Sequence, residues 1–343
     1  MKQDIIYTRL SNVIRETEGQ NILWILSSSS LRKLDLVYPG IRKDLFKNPN
    51  GAVVIPNGND YDWIDHIWGE ASRFDSVYGL GGGTAIDIAK YIAKVNNLPC
   101  IAIPSMLSTN VFATNKVATI RKGRKATEDG VLPETVYIDP WYLKESADQN
   151  YLGLIDAFSI STALSDWKLA HEMGVEPIQR DFFNRANRLL QKVMKNSADR
   201  PAIKQIVANL AEAGYITNDY GCGRPESGSE HIFAKELEER IRIPHALSVA
   251  MGIMLMRTLD GNPEVLREDL SRCFRQLGVF HQLKLFSNVH PELRGILVEA
   301  LVNLKPRPDR YTILDYKPLP PREICEDWVD TMLGCINYKE VPV

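Results

Sequence analysis

The chain has 343 residues, enough to close two hydrophobic cores, and its 44% apolar and 24% charged residues are those of a folded protein rather than a disordered one. A formal charge of −2 gives no electrostatic case for nucleic acid or an anionic membrane as a partner. Five scattered cysteines without C-x-x-C spacing read as reduced thiols; with no secretory apolar segment after Met1 and no run long enough to cross a bilayer, a soluble, cytoplasmic protein is expected.

Through about residue 140, short β-branched runs alternate with helical patterns, the signature of a parallel sheet covered by helices. Strands are expected at 22–26, 52–56, 76–80 and 101–104, with a helix beginning at Asp62. The third strand runs straight into Gly81, Gly82 and Gly83, and then into a helix that opens with Thr84. Consecutive glycines let a chain turn with positive φ and bring backbone N–H groups close to an anion, at the end of a helix that favours negative charge. The pattern is neither G-x-G-x-x-G nor a nucleotide-triphosphate loop, so a tight structural turn is the competing reading. Asp87 and Lys90 fall three apart and share a side of that helix. Two further strands, 116–120 and 136–139, bracket a polar segment at 121–130, which is either a solvated, hairpin-like loop or the source of a basic group that reaches a substrate phosphate.

After Asp139-Pro140 helical periodicity takes over, at 157–169, 182–194, 203–213, 232–241 and 247–259. Prolines at 306, 308, 318, 320 and 321 then break the chain before a last helix at 323–333. Within this stretch Asp156 stands beside an apolar run, His231 sits in an apolar helix start, and His245 follows Pro244 at the next helix start. Two imidazoles and a carboxylate would form an N/N/O metal set with a position left open. The 14-residue spacing of the histidines matches no short zinc signature, so packed or capping histidines are the alternative. His66, His171, His281 and His290 read as surface or helix-face residues. The composition change places a boundary near residue 145, giving a nucleotide-binding domain over 1–145 and a metal-binding helical domain over 146–343, with the cleft between them as the expected active site.

These motifs resemble the iron-containing alcohol dehydrogenase and dehydroquinate-synthase-like superfamily, and within it the glycerol-1-phosphate dehydrogenases. The likeness runs through the segment Gly79 to Lys90, through Ile103-Pro104-Ser105-Met106-Leu107-Ser108, through Ala163-Leu164-Ser165-Asp166-Trp167-Lys168-Leu169, and through Ser227-Gly228-Ser229-Glu230-His231-Ile232-Phe233. It implies an α/β amino-terminal domain with a Rossmann-like parallel sheet followed by an all-α domain. It also implies NAD or NADP with its pyrophosphate at Gly81, Gly82, Gly83 and Thr84, further cofactor contacts near Asp87, Lys90, Ser105 and Thr109, and a zinc or iron ion on Asp156, His231 and His245. The implied reaction is reversible hydride transfer to a small, phosphorylated ketone, in a homo-oligomer, with Lys116, Lys122, Arg124 or Arg224 as the anion partner.

Some positions depart from the family. His245-Ala246-Leu247 stands where His-Gly-Glu is usual, Thr109-Asn110-Val111 where glycerol-1-phosphate dehydrogenases have His-Asp-Gly, and Ser27-Ser28-Ser29-Ser30 where an acidic or Asn-bearing turn often holds the ribose. A serine run carries no carboxylate to repel a 2′-phosphate, which keeps NADP beside NAD. Asn110 and Lys116 match the spacing of an aspartate and a catalytic lysine in sugar-phosphate cyclases. A metal- and NAD-dependent cyclase or lyase is thus the second reading, and a nucleotide-binding protein without catalysis the third.

Overall fold

The computed structural model describes residues 3–56, 58, 60–68, 71–197, 200–261 and 269–337. The chain divides into two compact units, Met1–Asn150 with Leu210–Asn218, and Tyr151–Asn209 with Asp219–Val343. The first is a Rossmann-like α/β unit and the second is largely helical.

Among the described residues the first unit has eight strands: β1 (Asp4–Tyr7), β2 (Ile22–Leu26), β3 (Ala52–Val54), β4 (Ser76–Gly81), β5 (Cys100–Pro104), β6 (Lys116–Arg121), β7 (Arg124–Asp129) and β8 (Thr135–Ile138). Six of them form one sheet in the order β1-β8-β5-β4-β2-β3, and every pairing in it is parallel. The central strands are buried on both faces, as parallel strands under helices must be. Along β2 the side chains alternate: Ile22, Trp24 and Leu26 join Tyr78, Leu80, Ile101 and Ile103 in one core. Leu23 and Ile25 join Val77, Cys100 and the inner face of the helix Gly83–Asn96 in the other.

The edge of this sheet was the least legible part of the sequence. β1 and the short helices Leu10–Glu16, Ser28–Val37 and Ile41–Lys47 carry too few apolar repeats to stand out. β3 stops at Val54 rather than continuing to Pro56, because proline has no N–H for a ladder and Ile55 is already exposed at the sheet edge. The polar segment 121–130 is mostly strand: β6 and β7 form an antiparallel ribbon. Its two-residue turn places Lys122 at φ 48° and Gly123 at φ 73°, the left-handed pair that tight hairpins need.

The second unit is built from helices that include Ile155–Phe158, Ile160–Glu172, Arg180–Asn196, Ser229–Arg240, His245–Asp260, Leu293–Val302 and Arg322–Asn337. Among the described residues no helix is long and apolar enough to cross a membrane.

Candidate functional site

In the first unit, β2 and β4 are neighbours, while the chain goes on from β2 to β3 on one side and from β4 to β5 on the other. The carboxyl ends of β2 and β4 therefore flank a topological switch point, where open parallel sheets bind ligands. The glycine turn follows β4 at this place, and Ser27, which follows β2, donates its N–H to the Leu80 carbonyl at 3.3 Å.

The glycines serve two separate needs. A Cβ on Gly79 would lie 2.9 Å from the Ala89 Cβ, and one on Gly81 would lie 2.6 Å from the Ala85 Cβ, so these two let the helix Gly83–Asn96 lie directly on its strand. A Cβ on Gly82 would meet only Met106 at 3.9 Å, and one on Gly83 nothing within 4 Å. None of the turn glycines has the positive φ anticipated from the sequence; Gly82, for example, sits at φ −79° and ψ −165°. What the turn requires is close approach, and packing alone gives no reason for glycine at 83. A bare, open backbone at the head of a 14-residue helix fits a dinucleotide pyrophosphate.

Of the other residues expected at the cofactor, Thr84 is exposed at the helix start and Thr109 is half-buried. Ser105 is buried; its N–H donates to the Gly81 carbonyl at 2.8 Å, and its carbonyl accepts from Lys33 Nζ at 2.7 Å. Asp87 and Lys90 do share a side of the helix, but that side faces inward. The Lys90 ammonium is fully buried, 2.9 Å from Asp87 Oδ1, and donates to the carbonyls of Val111, Thr114 and Lys116. Its donors are fully used in holding the segment before β6, and none is left over for a nucleotide. Sequence reasoning missed Lys33, whose ammonium also donates to Ser146 Oγ at 2.7 Å and whose pKa burial pulls down to about 8. Ser27 caps the helix Ser28–Val37 by accepting from the Ser30 N–H at 3.1 Å.

Lys116 lies on β6 with its ammonium paired to Asp129. Arg224 is buried inside the second unit, 3.1 Å from Glu176 and donating to the carbonyls of Tyr311 and Asp166; it is a strut rather than a free anion receptor. Lys122 is the exposed turn residue of the ribbon, and the Arg124 side chain lies outside the described residues.

In the second unit the structure brings Asp156, His231 and His245 together, with one donor atom from each lying within 4.8 Å of the others. Asp156 sits on the one-turn helix Ile155–Phe158, His231 in the first turn of Ser229–Arg240, and His245 at the first residue of His245–Asp260. The two histidine helices cross backbone to backbone at Gly252, where a Cβ would lie 2.5 Å from the Glu230 carbonyl oxygen. That glycine is what lets the imidazole centroids come to 5.3 Å.

Each imidazole is held from behind by a carboxylate. His231 Nδ1 lies 2.7 Å from Glu230 Oε1, and His245 Nδ1 lies 2.7 Å from Glu238 Oε1, which also accepts from Ser248 Oγ. A carboxylate at Nδ1 favours the tautomer whose Nε2 lone pair is free to bind a metal. His245 Nε2 is 3.8 Å from Asp156 Oδ1, and that oxygen, buried, has no hydrogen-bond partner among the described residues. An orphaned carboxylate oxygen facing two oriented imidazoles fits a divalent cation such as zinc or iron. Glu230 and Glu238 were not singled out from the sequence; only the adjacency of Glu230 to His231 offered a signal.

The electrostatics agree with that fit. Burial pushes the Asp156 carboxyl up, and the two imidazoles oppose the shift. Burial, then the neighbouring His245, holds His231 down to about 3, so its imidazole is neutral at physiological pH. Burial also disfavours the charged form of His245, but the Glu238 hydrogen bond and the Asp156 charge outweigh it and raise its pKa.

The family model described as iron-containing alcohol dehydrogenase matches residues 6–146. A glycerol-1-phosphate dehydrogenase of Thermoplasma volcanium, named for NAD(P)+, is 31% identical over 249 residues, 69% of this chain and 68% of that protein. Its namesake from Thermococcus sibiricus is 27% identical over 285 residues, 80% of this chain and 75% of that protein. Among solved structures, a probable glycerol dehydrogenase from Sinorhizobium meliloti aligns with a TM-score of 0.64 at 15% identity, covering 97% of each chain. An iron-containing alcohol dehydrogenase from Thermotoga maritima aligns with a TM-score of 0.60 at 18% identity, covering 97% of this chain and 98% of that one. At such identities the structural likeness speaks for the fold alone.

Proposed function

We propose that this chain, which belongs to the iron-containing alcohol dehydrogenase and dehydroquinate-synthase-like superfamily, is an NAD(P)-linked, metal-dependent oxidoreductase that interconverts a small phosphorylated ketone and its secondary alcohol. The observation that carries this reading is the convergence of Asp156, His231 and His245, with a carboxylate behind each imidazole. Asp156, His231 and His245 would hold a zinc or iron ion that would supply Lewis acidity toward a carbonyl or alcohol oxygen, and a bound nicotinamide would supply the hydride.

The protein's own part is positioning. Glu230 and Glu238 fix the imidazole orientations, and Asp156 brings negative charge that the burial of its side chain makes costly without a cation. The open backbone at Gly82 and Gly83 receives the pyrophosphate, while the carboxylate-free run Ser27 to Ser30 at the end of β2 accommodates either NAD or NADP. The phosphorylated three-carbon ketone is favoured as substrate because relatives this chain is similar to, at 31% and 27% identity, are named for its reduced form.

The test is a paired measurement on the wild type and His245→Ala: bound metal, and net oxidation of NADH or NADPH with dihydroxyacetone phosphate. The wild type consumes reduced cofactor stoichiometrically, which a cyclase does not, and the variant loses metal and turnover together. Near-normal turnover in His245→Ala would remove the ligand assignment.

A further inference from the structure

In the first unit the segment that leaves β5 is pinned at both ends. Ser105 gives its N–H to the Gly81 carbonyl at 2.8 Å and receives the Lys33 ammonium on its own carbonyl at 2.7 Å. Two residues on, the Leu107 N–H donates at 2.8 Å to Oδ1 of the buried Asn150, whose Nδ2 donates to the Leu143 carbonyl at 2.8 Å. Between these anchors lies Met106, the residue that a Cβ on Gly82 would meet, at 3.9 Å. Met106 therefore borders the open backbone of the glycine turn, and Lys33 and Asn150 hold it there.

A lysine is a costly choice for such an anchor. Lys33 comes from the helix Ser28–Val37 and is half-buried; it also donates to Ser146 Oγ at 2.7 Å and stands 4.5 Å from the centroid of the Tyr142 ring. The Tyr142 hydroxyl in turn donates to the Ser30 carbonyl at 2.8 Å, which ties the ring to the same helix. All these partners are uncharged, and among the described residues no carboxylate forms an ion pair with Lys33. Glu145 and Asp139 favour its charge only from a distance, and burial outweighs them, bringing the pKa down to about 8. Asp139 is itself occupied by the N–H groups of Leu10, Trp141 and Tyr142 and by the Tyr38 hydroxyl. A neutral donor would hold Ser105 and Ser146 without this desolvation cost. The cation is accounted for once negative charge arrives beside it, and only the backbone of Ser105 stands between it and the Gly81 carbonyl, where the glycine turn begins.

We propose that Lys33 is a positioning residue for the dinucleotide: through Ser105 it sets Met106 against the Gly82 and Gly83 turn, and the pyrophosphate bound there supplies the countercharge it lacks. This assignment rests on the NAD(P) reading of that turn and adds the residue that tunes it. It also creates a linkage. An anion beside a half-buried ammonium favours the protonated amine, so nucleotide affinity falls as Lys33 of the free protein gives up its proton.

The experiment titrates metal-loaded wild type and Lys33→Met with NADH and NADPH by fluorescence, from about pH 7 to about pH 9.5, beside steady-state kinetics with dihydroxyacetone phosphate and a melting curve for each sample. At neutral pH the variant should bind both nucleotides about tenfold more weakly, the loss expected of a charge-assisted contact, and the change should appear in KM for the reduced cofactor rather than in kcat, with bound metal unaltered. The wild-type Kd should rise across the alkaline range while that of Lys33→Met stays level, a contrast that a loosened fold does not produce. The wild-type profile needs no variant, so the test survives a Lys33→Met protein that fails to fold. A folded Lys33→Met with wild-type affinity, or a wild-type affinity that ignores pH over this range, would overturn the proposal. Nucleotide binding that depends on Lys33 in a protein that turns over no ketone would uphold it and sink the oxidoreductase reading instead.

Discussion

Replacing Gly83 and Gly81 by alanine, one at a time, separates ligand binding from packing. At Gly83 a methyl would meet nothing within 4 Å, and the residue is the first of a helix, so alanine should stabilise the fold by about 0.5–1 kcal/mol through the entropy of the unfolded chain. At Gly81 the methyl would come within 2.6 Å of the Ala85 Cβ and 3.2 Å of Ser27 Oγ, and such overpacking costs about 1–3 kcal/mol. Cofactor affinity should move the other way. If a pyrophosphate accepts N–H bonds from this turn, a methyl on Gly83 disturbs one or two charge-assisted bonds of about 1.5–3 kcal/mol each, raising Kd by tenfold or more. Scanning calorimetry and fluorescence titration with NADH and NADPH read both quantities on the same samples. A Gly83→Ala protein that binds both nucleotides like the wild type would refute the role of the turn, and a Gly81→Ala protein with an unchanged melting temperature would refute the packing argument.

Lys90→Met strips a fully buried ammonium from Asp87 and three carbonyls, and breaking such a pair one-sidedly should cost about 3–5 kcal/mol; a shift in urea midpoint equivalent to less than about 1 kcal/mol would show the network to be dispensable. Asp166 is pushed from 3.8 up to about 7 by burial, with Glu230 adding to the rise. The folded state then holds a proton between these values that the unfolded state has released, so stability should fall as pH rises from about 4 to about 7, by a few kcal/mol at most. Urea melts of metal-free protein at pH 5 and pH 8 test this, and Asp166→Asn should flatten the dependence; an identical slope in the variant would assign it elsewhere.

The sequence was most informative where one physical constraint dominates. Strands β2, β4 and β5 are apolar runs because both faces are covered, and the glycine turn is conspicuous because Gly81, where a Cβ would meet Ala85, stands beside Gly82 and Gly83, whose backbone is open. Asp156, His231 and His245 could be suspected as a two-imidazole, one-carboxylate set, but on the residues alone packed or capping histidines competed with that reading, since a 14-residue spacing matches no short metal signature. What escaped was set by tertiary contact. Gly252 has the look of an ordinary helix glycine until the Glu230 backbone is found against it, Glu238 orients His245 from seven residues away, and Asp87 and Lys90 have the spacing of a surface pair although they face inward.

The carboxylates of the helical unit explain why its site tolerates such an arrangement. Asp156, Asp166 and Glu230 are all buried, and burial is the leading cause that pushes each of them up. Asp166 is satisfied locally, since it accepts the N–H groups of Ser229 and Ile313 at 2.6 and 2.8 Å and thereby fixes the start of the His231 helix. Glu230 is satisfied in part, by the Gly228 N–H and by His231, but its Oε2 has no hydrogen-bond partner among the described residues, and neither has Asp156 Oδ1. A hydrophobic substitution would relieve either carboxyl, so their presence is unfavourable for stability alone. A divalent cation held by Asp156 and His231 would change the balance, because its charge would favour the ionised forms of Asp156 and of the carboxylate behind the imidazole. Local rules of burial are broken at this site in the direction that a bound cation repairs, which is the pattern expected of a functional centre and not of a packed core.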